Sequence, residues 1–81
     1  MLSVGQIMTR SILTFETVFQ VLAAEKTLSG KIQCRTVPTP AGLSSSICGM
    51  SLEVLQTDLA EEAVRLLRDN SVPPVGLHQV S

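Results

Sequence analysis

Aromatic residues are nearly missing from this chain: it has no tryptophan, no tyrosine, and two phenylalanines, Phe15 and Phe19. A single-stranded nucleic acid would therefore find no stacking platform. Basic charge is equally thin, with six Lys and Arg spread over 81 residues and a net charge of −1. Phosphate backbones are held by clustered cations, so nucleic acid is excluded as a partner. One histidine and two cysteines cannot close a metal site at ligand spacing, and no metal is expected. A glycine-rich phosphate loop, a hydrolase elbow and a paired carboxylate site are all missing, so no cofactor is expected either. Glu61-Glu62 reads as a solvated charge pair at a helix start.

Apolar runs are short. None approaches the ~20 residues that cross a bilayer, so no membrane partner is expected. The segment Met1–Arg10 has neither a basic start nor a continuous apolar stretch, so it does not read as a signal peptide. Residues 1–10 are expected to be a leader or tail, and residues 11–81 a single domain. Two cysteines in an acidic chain without an export signal point to free thiols in a reducing cytoplasm. What the chain does have is apolar content: 44% hydrophobic against 16% charged residues. That balance predicts that some surface is covered by a second copy, a homo-oligomer, or by a partner.

The pattern along the chain alternates between two periods. Ile12-Leu13-Thr14-Phe15 reads as a strand, and Thr17-Val18-Phe19-Gln20 as a capping box opening a helix over 18–29, with Val18, Val21, Leu22 and Leu28 as its stripe. Gly30 stands where a left-handed residue would end that helix. Ile32, Cys34 and Thr36 alternate as a strand that Pro38-Thr39-Pro40 ends. A hydroxyl-rich loop follows, and Met50, Leu52 and Val54 give the clearest strand. Thr57 is the expected N-cap of a second helix carrying Leu59, Ala63, Leu66 and Leu67, which Asn70 ends. Val75–Val80 forms the last strand.

The order β-α-β-β-α-β predicts an α+β fold, a ferredoxin-like sandwich with two helices on one face of a four-stranded antiparallel sheet. Leu13, Phe15, Ile32, Cys34, Met50, Leu52, Val54, Val75 and Leu77 would face the helices. Thr14, Gln33, Arg35, Ser51, Glu53 and His78 would lie on the open face.

Cys48 is the candidate for chemistry. It ends the loop Ala41-Gly42-Leu43-Ser44-Ser45-Ser46-Ile47, ahead of Gly49, whose freedom lets amides approach the sulfur. The competing reading is a small residue filling space at a strand start. Cys34 reads as a structural thiol on the core side of its strand, ~10 Å along the strand from the loop and too far for a disulfide without the loop folding back. The third strand is expected to run parallel to the first, so Cys48 is expected at the starting end of both, with both helices beginning at the other end. Arg10 is then the candidate cation that stabilises the thiolate. The last strand would finish at that same end, which makes His78 a weak candidate for a general base, against the ordinary reading of a solvated histidine.

The residues just quoted carry a resemblance. Phe15, Glu25-Lys26 with Leu28, Arg35 ahead of Pro38-x-Pro40, and Ser44-Ser45-Ser46-Ile47-Cys48-Gly49 together resemble the putative selenium/sulfur carrier protein-like family of short bacterial domains. The resemblance covers about residues 11–80 and is most specific from Pro38 to Gly49. Val21 and Ala41-Gly42 depart from the family pattern without touching the thiol. The resemblance implies a carrier rather than a turnover enzyme. Cys48 would hold a persulfide or perselenide, Ser44, Ser45, Ser46 and Gly49 would surround it, and sulfur or selenium donor and acceptor proteins would be the partners. The rival reading is a regulatory or assembly module that pairs through its sheet.

Overall fold

A computed structural model of the chain describes residues 10–40, 42–43 and 49–80. In chain order the elements are β1 (Arg10–Thr14), α1 (Val18–Leu28), β2 (Cys34–Pro38), β3 (Met50–Val54), a 3₁₀ turn (Thr57–Leu59), α2 (Ala60–Asp69) and β4 (Gly76–Val80). The strands form one antiparallel sheet ordered β2-β3-β1-β4. With two helices beside that sheet, the α+β class expected from the alternation of periods is the one observed. β1 begins at Arg10, one residue before the start expected for the domain.

Local chemistry sets the helix ends. The Thr17 hydroxyl accepts the Gln20 amide at 3.2 Å, and the Gln20 side chain accepts the amides of Glu16 and Thr17 at 3.0 and 3.3 Å. This capping box satisfies the Thr17 and Gln20 amides, which the first turn of a helix would leave unpaired, together with the Glu16 amide just before it. Gly30, at φ 80°, turns the chain away after α1. α2 departs from expectation at its start. The 3₁₀ turn intervenes, so Thr57 opens that turn, and Leu59 is the N-cap of α2 with no side-chain hydrogen bond. Its other end is as expected: Asn70 caps the helix, its side-chain amide donating to the Leu66 carbonyl at 2.7 Å. The left-handed residue that follows is Ser71, at φ 63°.

One cluster holds both helices to one face of the sheet: Leu13, Phe15, Leu52 and Val54 from the strand side, Val21, Ala24 and Leu28 from α1, Ala63 and Leu67 from α2, and Ile32 from the turn between. Alternation along β1 and β3 puts every second side chain into this layer. The stripe of α1 is rotated from the expected one. Val21, Ala24 and Leu28 are buried, whereas Val18 and Leu22 are 41% and 52% exposed. Ala24, outside the expected stripe, is fully buried in its place. Val75, expected inside, precedes β4 and is exposed.

The opposite face is not the plain solvated surface expected. Thr14 and Ser51 have no exposure and Glu53 has 6%, with Ile12 and Val37 buried at the same level of the sheet. Glu53 on β3 lies between Arg35 on β2 and Ile12 on β1, and it gathers two guanidinium groups. Its carboxylate accepts Arg10 Nε and Nη2 at 3.1 Å each and Arg35 Nε at 3.2 Å. Such a forked pair is the geometry a guanidinium makes best.

Candidate functional site

Cys48 and the serines 44, 45 and 46 lie outside the described residues, so the site is fixed by what flanks them. Thr39 and Gly49 form its base: the Thr39 amide donates to the Gly49 carbonyl at 2.8 Å, just beyond the last β2–β3 partners, Pro38 and Met50. Gly49 itself is exposed and does not adopt positive φ, and among the described residues nothing lies within 4 Å of where a Cβ would be.

The end of the sheet on which Gly49 lies corrects an expectation. β1 and β3 run antiparallel, with Thr14 opposite Ser51 and Ser11 opposite Val54. The start of β3 therefore meets the finish of β1. In a β-α-β unit the two strands are parallel, and a strand inserted between them opposes both. Three consequences follow. First, α1 begins at the Gly49 end of the sheet, after Thr14 and Phe15, while the segment leading to α2 leaves from the other end. The helices do not both start away from the loop. Second, Arg10 is at the far end of β1 and is engaged by Glu53, so it is not at the Gly49 end to serve as a cation for a neighbouring thiolate. Third, β4 starts rather than finishes at the Gly49 end, with Gly76 opposite Thr14 and Val80 opposite Arg10.

His78 is consequently mid-strand and half-buried, its Nε2 3.2 Å from the Thr14 hydroxyl. A Cβ on Gly76 would come within 3.0 Å of that ring nitrogen, so the ring packs where only glycine leaves room. Thr39 and Ser51 pair their hydroxyls at 2.6 Å. Since Ser51 is the strand partner of Thr14, a row Thr39, Ser51, Thr14, His78 runs from the residue just after β2 across β3, β1 and β4. Sequence reasoning missed this row. Alternation had put Thr14, Ser51 and His78 on one face, but only the register makes them neighbours.

Cys34 is placed opposite Val54, at the other end of β2 from Pro38. The four-residue separation amounts to about 13 Å of strand. It is half-buried, packed against the edge of the core, and lines a groove with Leu22, Glu25, Lys26 and Gly30. Burial, and secondarily the Glu25 carboxylate, pushes its thiol above the ordinary range. A thiol so placed is mostly protonated near neutrality and a poor nucleophile.

Among the described residues no helix is long and apolar enough to cross a membrane. The described residues form a small α+β domain with Thr39 and Gly49 joined at the open end of two antiparallel strands. The chain belongs to the family described as "Putative Se/S carrier protein-like", whose model matches residues 10–79. No curated protein and no solved structure matches the chain.

Proposed function

We propose that the protein is a thiol carrier of sulfur or selenium in a bacterial cytoplasm, loaded by a donor protein and unloaded by an acceptor. The observation that carries this reading is the family match, which spans Cys48 and Gly49 together with nearly all the rest of the chain. In the loading step the Cys48 thiolate attacks the terminal sulfur of a donor persulfide. The new bond is Cys48 Sγ–S, the bond broken is that sulfur's link to the donor, and the electron pair leaves with the donor thiolate. No external oxidant is consumed. An acceptor nucleophile reverses the exchange and returns Cys48 as thiolate, and selenium follows the same balance. Ser44, Ser45 and Ser46, with Gly49, are the groups proposed to surround the adduct, and Cys34, with its raised pKa, stays idle.

Incubating the protein with a low-molecular-weight persulfide, followed by intact-mass and peptide mass spectrometry, tests this. One added sulfur is expected on the peptide containing Cys48, is lost in Cys48→Ser and is retained in Cys34→Ala. Loading at Cys34 first, or undiminished loading of Cys48→Ser, defeats the carrier reading.

A further inference from the structure

α1 is apolar on both sides. Opposite its buried stripe of Val21, Ala24 and Leu28 runs a second, solvent-facing stripe: Phe19 is 79% exposed, Leu22 is 52% exposed, and Ala23 and Lys26 are exposed between and beyond them. At 100° per residue these four positions fall within about a third of the helix circumference, the width of a face built to pack against another helix. Leaving a phenylalanine almost fully in water forfeits about 1.5–3 kcal/mol of burial.

The order of residues along the stripe says what covers it. Glu16 stands exposed just before the helix and Lys26 exposed in its last turn, and no ion pair among the described residues uses either. Along the chain the order is acid, large, small, base: Glu16 just ahead of the Thr17 cap, then Phe19, Ala23 and Lys26 on the stripe. Rotated by a two-fold axis through the level of Val21, that order complements itself. Glu16 meets the Lys26 of the second copy, and Phe19 meets the small Ala23. Both matches then occur twice, as an isologous contact requires.

We infer that this outer face of α1 is a homodimer interface, in which two copies pair their first helices antiparallel. The inference is independent of the carrier reading, because Cys48 takes no part in it. A single helix pair makes a small contact, at or below the ~1,200 Å² of the smallest specific interfaces, so the dimer is weak and in exchange with monomer.

Sedimentation equilibrium of the full chain between about 10 and 500 μM, the span that brackets a weak dimer, provides the test. A monomer–dimer equilibrium is expected, with Phe19→Glu raising Kd at least tenfold. The charge pattern gives the sharper readout. Glu16→Lys alone and Lys26→Glu alone each weaken the homodimer several-fold by setting like charges opposite one another at both ends. Mixing those two variants restores dimer to the wild-type level, because every 16–26 contact across the heterodimer is again of opposite sign. Circular dichroism confirms that each variant is folded.

A folded wild-type chain that stays monomeric throughout that range overturns the inference. So does a dimer unmoved by Phe19→Glu, or one whose charge-reversed variants do not recover on mixing. Flotation with phosphatidylcholine–phosphatidylglycerol vesicles distinguishes the other occupant of an apolar helix face. Phe19-dependent vesicle binding without a dimer also overturns it.

Discussion

The Thr39 amide and the Gly49 carbonyl meet at 2.8 Å, so one backbone hydrogen bond joins the chain on either side of residues 40–48. Neither side chain makes that bond. That bond extends the β2–β3 ladder by one step and does not depend on which side chain stands at position 39 or 49.

Gly49→Ala is accordingly expected to fold and to cost less than about 1 kcal/mol. Glycine is demanded where φ is positive or where a Cβ would collide, and Gly49 has neither feature among the described residues. Thermal unfolding of the variant checks this. A loss of persulfide loading with an unchanged Tm would place the requirement for glycine in the chemistry. A large fall in Tm would refute the structural argument.

The ion cluster around Glu53 predicts a pH dependence. The hydrogen bond from Arg10 is the main cause that holds the Glu53 carboxyl below its ordinary range, with Arg35 adding to it and burial opposing. A carboxyl depressed in the folded state contributes stability that is fully present above its unfolded value, about 4.3, and is lost as pH falls through the folded value. Tm should therefore fall as pH drops below about 4.3, more steeply in wild type than in Glu53→Gln. At pH 7, Glu53→Gln should melt a few degrees lower. Equal acid slopes for the two proteins would remove Glu53 from the explanation.

Much of the fold could be read locally. Thr17 and Gln20 are three residues apart, and a capping box needs no knowledge of anything further along the chain. Leu52 and Val54 alternate cleanly because one face of their strand is the core. The direction of β3 relative to β1 was misread for the opposite reason. No residue of Met50–Val54 records which strand lies beside it; that follows from the crossover through α1, which leaves a gap between β1 and β2 for β3 to fill. Placing Arg10 beside the loop inherited the same error. The burial of Ser51 and Thr14 was equally invisible, because small hydroxyl side chains look solvated until the register surrounds them.

Ser71 offers a stabilising change. Its φ of 63° is left-handed, a conformation that costs an L-residue with a Cβ about 1–2 kcal/mol. It immediately follows the Asn70 cap, with its amide bonded to the Arg68 carbonyl at 3.1 Å. Ser71→Gly removes the strain and gives back part of the gain as unfolded-state entropy, leaving up to about 1 kcal/mol of net stabilisation. Urea unfolding should show a higher midpoint with an unchanged slope. A lower midpoint would show that the Ser71 side chain contributes more than its backbone costs.

The two thiols should separate by pH. Burial and the Glu25 carboxylate raise the Cys34 pKa, so its alkylation by iodoacetamide in Cys48→Ser should rise with pH along a curve displaced above that of an unstructured cysteine peptide. The same shift carries a stability sign. A thiol whose pKa is higher folded than unfolded favours folding below the unfolded value, and that contribution is lost as pH rises through the folded one. Cys48→Ser should thus lose stability on alkaline titration, and adding Cys34→Ala should flatten the loss. Removing the sulfur from its place beside Val54 and the core costs about 1 kcal/mol at neutral pH. Because Cys34 lies at the end of β2 away from the Thr39–Gly49 base, that cost should be the same whether residue 48 is cysteine or serine, with the two substitutions additive within about 0.5 kcal/mol. A coupling larger than this, measured by the double-mutant cycle, would mean that the two thiols share an environment, and the separation drawn from the strand register would be wrong.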